Sequence, residues 1–329
     1  MEKKVSVVMC TYNGAKYLKE QLESIIRQTY PIYELIVQDD RSTDNTVEIL
    51  NEYSKKYPHI IRIYINQQTL GVNENFYSAI TRATGDYIAI SDQDDIWELN
   101  KIEKQIETIG DNWLCGHFSK PFTDENIPFH FDERKPNYTI ERLVYATSFP
   151  GHTLLIKKDI LSLISEENRK LYAYDSLLNL IAGAYGKITF CEQILIRHRR
   201  HLSAITYTVP VSYERNIANY FKTIKRTFVN YWALRSKMQA YFTRMYKFLK
   251  SLPEKNQGKT NAEQLAFYQS KKGVWAYLKL TFLCIKFKDK LFYTKEKSSL
   301  FAFLRAIYFP ISCSDCFTYL LPETKKEKR

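Results

Sequence analysis

Short apolar runs alternate with amphipathic stretches through the first third of the chain. Val5-Ser-Val-Val-Met-Cys10 is a β-branched run of the length of one buried strand. After Asn13-Gly14, Leu18, Leu22, Ile25 and Ile26 mark one face of a helix, which must stop before Pro31. Residues 34–38 predict a second strand. Ser42 or Thr43 stands where a cap would open a helix to about Tyr57, with Val47, Leu50 and Tyr53 facing inward. Residues 60–65 predict a third strand and 72–83 a third helix. Gly85-Asp86 then turns the chain into a fourth strand, Tyr87-Ile-Ala-Ile-Ser91. Strands separated by helices of about ten to fifteen residues form βαβ units, so the expected fold is α/β with a Rossmann-like, mostly parallel sheet.

In such sheets ligands sit beyond the carboxyl ends of the strands. Those ends carry Thr11-Tyr12-Asn13, Asp39-Asp40, Asn66 and Ser91-Asp92-Gln93-Asp94-Asp95. Asp92 and Asp94 stand two apart, which in extended backbone turns both to one side. Carboxylates held together repel unless a proton or cation lies between them. Mg²⁺ or Mn²⁺ suits such a pair, taking carboxylate oxygens and completing its shell with phosphates and water. An isolated Asp-x-Asp is ordinarily a solvated turn. Here it follows a buried strand and lies in register with Asp39-Asp40 on a neighbour, and the metal-binding reading gains accordingly. Of Asp39 and Asp40, one is expected to introduce the cap at Ser42-Thr43. The other is then available to a ligand donor such as the imide N–H of a pyrimidine.

Three segments now resemble family 2 glycosyltransferases of the GT-A fold. They are residues 5–31, with Val-Ser-Val-Val-Met-Cys-Thr-Tyr-Asn-Gly and Gln-Leu-Glu-Ser-Ile-Ile-Arg-Gln-Thr-Tyr-Pro, then Gln38-Asp-Asp-Arg-Ser-Thr-Asp44, and residues 85–97. The resemblance continues more weakly to about residue 206. It implies an inverting, metal-dependent transferase that uses a nucleoside-diphosphate sugar. By that resemblance Thr11, Tyr12, Asn13 and Asp40 hold the nucleotide, Asp94 binds the metal, and Asp92 contacts ribose or metal. Asp175, in Tyr172-Ala-Tyr-Asp-Ser-Leu-Leu, matches the family's general base at the start of a helix, although Tyr174 departs from the usual Glu or His before it. The plain alternative for Asp175 is a helix N-cap. Trp97, Gly151 and His152 are assigned to the acceptor side. Arg199 and His201, in Ile194-Leu-Ile-Arg-His-Arg-Arg-His, are assigned to the diphosphate or a loop over it. Ser91-Asp-Gln-Asp-Asp-Ile-Trp97 looks most like the rhamnosyltransferase branch, which uses dTDP-rhamnose in surface polysaccharide synthesis; UDP-hexose or UDP-N-acetylhexosamine remains the alternative.

Charge divides the 329 residues unevenly. Residues 1–210 hold 24 Lys and Arg against 28 Asp and Glu, whereas 211–329 hold 24 against 8 and half of all aromatics. This suggests a catalytic domain over 1–210 and a helical, basic, aromatic region over 211–329. Helical stretches are expected at 220–232, 238–249, 275–287 and 301–309, with a polar break at 253–261. Such helices suit an anionic membrane surface, a homodimer interface, or plain packing on the catalytic domain. Basic and aromatic residues together also describe single-stranded nucleic-acid binders, but no such module is recognisable. No run of eighteen uncharged apolar residues occurs. The opening residues are too short in apolar length for a signal peptide, and the six cysteines are scattered, with no second pair beside Cys313-Ser-Asp-Cys316. A peripheral protein on the cytoplasmic face of the cell membrane is the expectation, with a glycan or lipid-linked acceptor as partner. No Gly-rich phosphate loop is present, which argues against an NTPase. A scaffold that kept the fold and lost catalysis would not need Asp40, Asp94 and Asp175.

Overall fold

Apolar runs without polar interruption become strands covered on both faces. The computed structural model describes residues 3–129, 131–204, 217–293 and 299–317. Within it β1 (Val5–Thr11), β2 (Glu34–Asp39), β3 (Ile61–Ile65) and β4 (Tyr87–Ser91) are joined by α1 (Ala15–Ile26), α2 (Thr46–Lys56) and α3 (Val72–Arg82). Every residue of β2 and β4 is buried. β1 pairs in parallel with β2 and β4, and β2 in parallel with β3. Thr11 lies opposite Asp39, and Met9 opposite Ser91. The carboxyl ends of β1, β2 and β4 therefore meet along one edge.

The second half adds β5 (Ile96–Trp97), α4 (Lys101–Ile109), β6 (Leu114–Phe122), α5 (Ile140–Leu143), β7 (Leu155–Lys157), α6 (Glu166–Leu171), α7 (Tyr174–Ala184) and β8 (Ile188–Arg199). The sheet order is β3-β2-β1-β4-β7-β6-β8-β5. β7 runs antiparallel to β4 and β6, β5 antiparallel to β8, and β6 parallel to β8. The sheet is thus mixed, its parallel half carrying the acidic edge.

Two apolar layers cover the sheet. One holds Val5, Val7 and Met9 of β1 against Leu18, Leu22 and Ile25 of α1. The other holds Val8 and Ile36 against Phe76 and Ile80 of α3 and Leu177 and Ile181 of α7, and continues into the tail. The tail comprises α8 (Ile217–Ser251), α9 (Gln257–Ser270), α10 (Val274–Lys286), α11 (Lys288–Leu291), α12 (Ser299–Ser312) and α13 (Ser314–Phe317). The two stretches expected at 220–232 and 238–249 are one helix. Half of the expected polar break is helix too, because the Asn256 side chain accepts the Lys259 N–H (2.8 Å) and opens α9. Tyr241 and Phe242 of α8 meet Tyr172 and Tyr145, so the tail's core-facing side joins this second apolar layer. Cys313 is buried, and the side chain of Cys316 lies outside the described residues.

Candidate active site

Asn13, at the end of β1, has a positive φ of 49°, a conformation Asn tolerates better than most residues. That turn aims its polar atoms at the β2 loop: Thr43 N–H donates to Asn13 Oδ1, and Asn13 N–H donates to Ser42 Oγ, each at 2.8 Å. Ser42 also donates its N–H and hydroxyl to Asp39, as does Thr11 Oγ1 (2.8 Å). Ser42 and Thr43 therefore bind the β1 loop to the β2 loop and do not cap α2, which starts at Thr46 behind Asn45. Tyr12 is held by a residue to which the sequence reading gave no role. Gln93 accepts the Tyr12 N–H (2.9 Å) and donates to the Tyr12 carbonyl (3.1 Å). Gly14 lets it approach, since a Cβ there would overlap the Gln93 side chain. Asp40 is buried and accepts three hydrogen bonds, from Asn66 Nδ2 (2.8 Å) and the N–H groups of Leu70 (2.7 Å) and Gly71 (2.8 Å). It shapes the 66–71 loop rather than standing free for a ligand.

The carboxylates after β4 have separate environments. Asp94 Oδ2 lies 2.8 Å from His201 Nε2. Burial pushes its pKa up, the His201 hydrogen bond opposes this, and the charges of Asp95 and Asp92 add to the rise. For fully buried Asp95, burial alone would do the same. Its pKa is nevertheless held below the usual carboxylate value by His198, whose Nδ1 lies 2.9 Å from Asp95 Oδ1, and by the Arg199 N–H. Asp92 is the most exposed of the three, and its Oδ2 lies 3.5 Å from His152 Nδ1. Asp95, His152 and His198 also bring ligand-type atoms within 4.8 Å of one another. The two imidazoles, however, stack at 4.4 Å with planes 7° apart. Ring-nitrogen lone pairs lie in the ring plane, so parallel rings must turn before they can share an ion.

Arg199 corrects an expectation. Its guanidinium is enclosed, donating to the Asp94 carbonyl (2.9 Å), to Glu20 and to Asp124, with Tyr17 and Phe122 against its face. It fixes the Asp94 segment and has no free edge for a diphosphate. His201 does reach the acidic edge, through Asp94.

A cavity of about 670 Å³ opens beside this edge, and its walls include Asp92, Gly151, His152, Tyr174 and Asp175. Asp175 lies in the first turn of α7 with Ala173 as N-cap, so it is not the cap. Its Oδ1 accepts the Ser176 N–H (2.8 Å). Gly151 packs on Tyr174 so closely that a Cβ would overlap the phenol oxygen. His152 meets Ser119 Oγ at 3.0 Å through Nε2. Trp97 is the second correction. It is 2% exposed and belongs to the α1-side core, away from the cavity.

Lys101 lies under that tryptophan, fully buried, its Nζ 3.9 Å from the ring centre and donating to Gln105 Oε1 (2.8 Å). Burial pushes its ammonium from the ordinary 10.5 down to about 7. Between those values the unfolded chain binds a proton that the folded chain lacks, so stability rises with pH, by about 1.4 kcal/mol per unit for such a group. Thermal melts should show the parent gaining on Lys101→Met from pH 7 to about 10. A pH-independent gap would mean that the ammonium stays charged inside.

Residues 6–160 match the model for glycosyl transferase family 2. An uncharacterized glycosyltransferase of Methanocaldococcus jannaschii is 33% identical over 212 residues, covering 59% of this chain and 70% of that protein. The chain belongs to glycosyl transferase family 2. Another family relative, the dTDP-rhamnosyl transferase RfbG of Shigella flexneri, is 34% identical over 165 residues, which is 46% of this chain. The chain spans about half (55%) of that protein's length. Among solved structures, S. aureus TarS 1-349 in complex with UDP-GlcNAc matches with a TM-score of 0.56 at 15% identity, covering 96% of this chain and 92% of that one. The Pyrobaculum calidifontis mannosyltransferase PcManGT, in complex with GDP-Man and Mn²⁺, matches with a TM-score of 0.50 at 16% identity, covering 100% and 89%. At such identities these two structures speak for the fold, which is the GT-A arrangement expected of the family.

Proposed function

We propose that this chain transfers a sugar from a nucleoside diphosphate to an acceptor hydroxyl with inversion, in a reaction that requires Mg²⁺ or Mn²⁺. The observation that carries this reading is that one cavity is lined by both Asp92 and Asp175, which we read as the metal-side carboxylate and the base. Thr11, Tyr12 and Asn13 would take the nucleotide, their loops cross-tied by Asp39, Ser42 and Gln93, with Asp40 acting through the 66–71 loop that it holds in shape. The residues at the acidic edge suit a divalent cation. Asp94 Oδ2 and His201 Nε2 are adjacent ligand-type atoms, and Asp94 is crowded by Asp95 and Asp92. Asp94 would hold the ion, with Asp92 and His201 beside it. When bound, the cation neutralises charge developing on the departing nucleoside diphosphate. Asp175 takes the acceptor hydroxyl's proton as its oxygen attacks the anomeric carbon. Gly151 and His152 line the acceptor's approach.

For the donor, the wording Ser91-Asp-Gln-Asp-Asp-Ile-Trp97 and the similarity to RfbG favour dTDP-rhamnose. The fold shared with TarS in its UDP-GlcNAc complex supports a UDP-linked sugar as second reading. The acceptor is a growing surface polysaccharide or lipid-linked glycan. Nucleotide release from a panel of dTDP- and UDP-sugars tests this. One donor should turn over with Mg²⁺ or Mn²⁺, stop with chelator, and fail with Asp94→Asn. Turnover of a UDP-hexose without dTDP-rhamnose would overturn the rhamnose assignment. Absence of nucleotide binding to every donor would overturn the transferase reading itself.

A further inference from the structure

Three tail helices packed on one another have apolar outer sides as well as apolar inner ones. α10 buries Leu280, Leu283 and Cys284 against the core, yet Trp275, Leu278 and Phe282 on its other side are 81%, 50% and 61% exposed. Their spacing of three and four residues keeps them on one face. α12 buries Ala306 and Phe309 while Leu300, Phe301 and Leu304 are 61%, 68% and 50% exposed. Val229 and Trp232 extend the exposed set along α8, whose Phe228 touches Tyr308 of α12. Scattered exposed leucines need no explanation, but a large apolar surface on adjacent helices marks a binding face.

The surrounding charge chooses the occupant. α8 carries eight Lys and Arg, α10 two and α12 one, and none of the three carries an Asp or Glu. Lys271, Lys272, Lys279 and Lys286 are all exposed around the α10 face. A symmetric pairing with a second copy would set this basic rim near itself, at a cost in repulsion. An anionic lipid surface complements it. α10 and α12 have 13 and 14 residues, and no helix among the described residues is long and apolar enough to cross a membrane. Helices of that length with tryptophan and phenylalanine between lysines lie along the interface.

We propose that the outer face of α8, α10 and α12 docks this chain on an anionic bilayer. Trp275, Phe282, Phe301 and Leu304 enter the headgroup layer while Lys279 and Lys286 meet lipid phosphates. α10 leads directly into the segment that holds the cavity: the Lys290 and Phe292 carbonyls accept from Asn137 Nδ2, at 2.9 and 3.0 Å, and Tyr293 lines the cavity wall. A docked chain thereby carries its acceptor cavity on the segment next to the lipid-facing helix.

The test is flotation of the full chain with vesicles of phosphatidylcholine, alone or mixed with phosphatidylglycerol. Binding to the mixed vesicles only is expected, weakened by salt. Trp275→Glu/Phe301→Glu should abolish it. Lys279→Glu/Lys286→Glu should cut partitioning by at least tenfold, since each basic residue near such a surface contributes about 1 kcal/mol, roughly fivefold. All four positions are exposed, so circular dichroism and donor turnover in solution should match the parent. Flotation that survives the Trp275/Phe301 change, or no flotation at all, would overturn the proposal. Sedimentation velocity on the same samples would reveal a dimer dissolved by that change, and a dimer without flotation would assign the face to a second copy. Donor turnover is read separately, so failure of the transferase reading leaves this outcome intact.

Discussion

Asp175→Asn is expected to lower sugar transfer by about 10²–10⁴-fold while nucleotide binding is retained. Asparagine keeps the shape of the side chain and can still accept the Ser176 N–H, so α7 should begin as before. What it loses is the ability to take a proton. Because Ala173 is the N-cap, the change removes no capping group, and the loss cannot be ascribed to an unravelled first turn. Single-turnover transfer compared with nucleotide titration separates the two quantities. Transfer at the parent rate would move the base elsewhere in the cavity. A parallel loss of nucleotide binding would mean that Asp175 shapes the donor end instead.

The second large effect is on stability. Phe242→Ala should destabilise the whole chain by about 3–5 kcal/mol, as expected for a phenylalanine deleted from a packed core. Phe242 is 1% exposed and lies against Tyr145, Tyr241 and Phe317 at ring separations of 5.4, 5.3 and 6.3 Å. It belongs to the same apolar cluster as Val8 and Ile36 in the sheet. Urea unfolding followed by circular dichroism and by tryptophan fluorescence should therefore give one transition, shifted as a unit. Two transitions, with only the later one retained at its parental midpoint, would show that the two regions divided near residue 210 unfold separately.

The sequence made the parallel half of the sheet legible because β1, β2 and β4 are largely apolar, with Ser6 inside β1 and Glu34 opening β2, and each ends in polar residues. It did not reveal β5 or β7, which have two and three residues, too few for any period to show. α9 was hidden for a different reason. Its opening residues are polar, and the local device that starts it, the Asn256 side chain, looks like an ordinary loop residue. At the site, residue types say which groups are charged or polar but not which way they point. Arg199 sits in a basic cluster that reads as solvent-facing or phosphate-facing. Only the fold shows Glu20 and Asp124 closing over it. Trp97 reads as an acceptor-side residue in the sequence, and only the fold shows it turned into the α1-side core. Gln93 had a usable signal, a neutral residue amid four polar or acidic ones and opposite a glycine turn, but its partner is backbone and backbone leaves no trace in composition.

The link between Asn137, Thr139 and the turn after α10 has a further consequence. The donors are two side chains, but the acceptors are main-chain oxygens of Lys290 and Phe292. Substitution along 290–292 leaves those oxygens where they are, whereas insertion or deletion of one residue moves them. A change of length here should therefore cost more than a change of identity, and Asn137 and Thr139 are the side chains through which it would be felt.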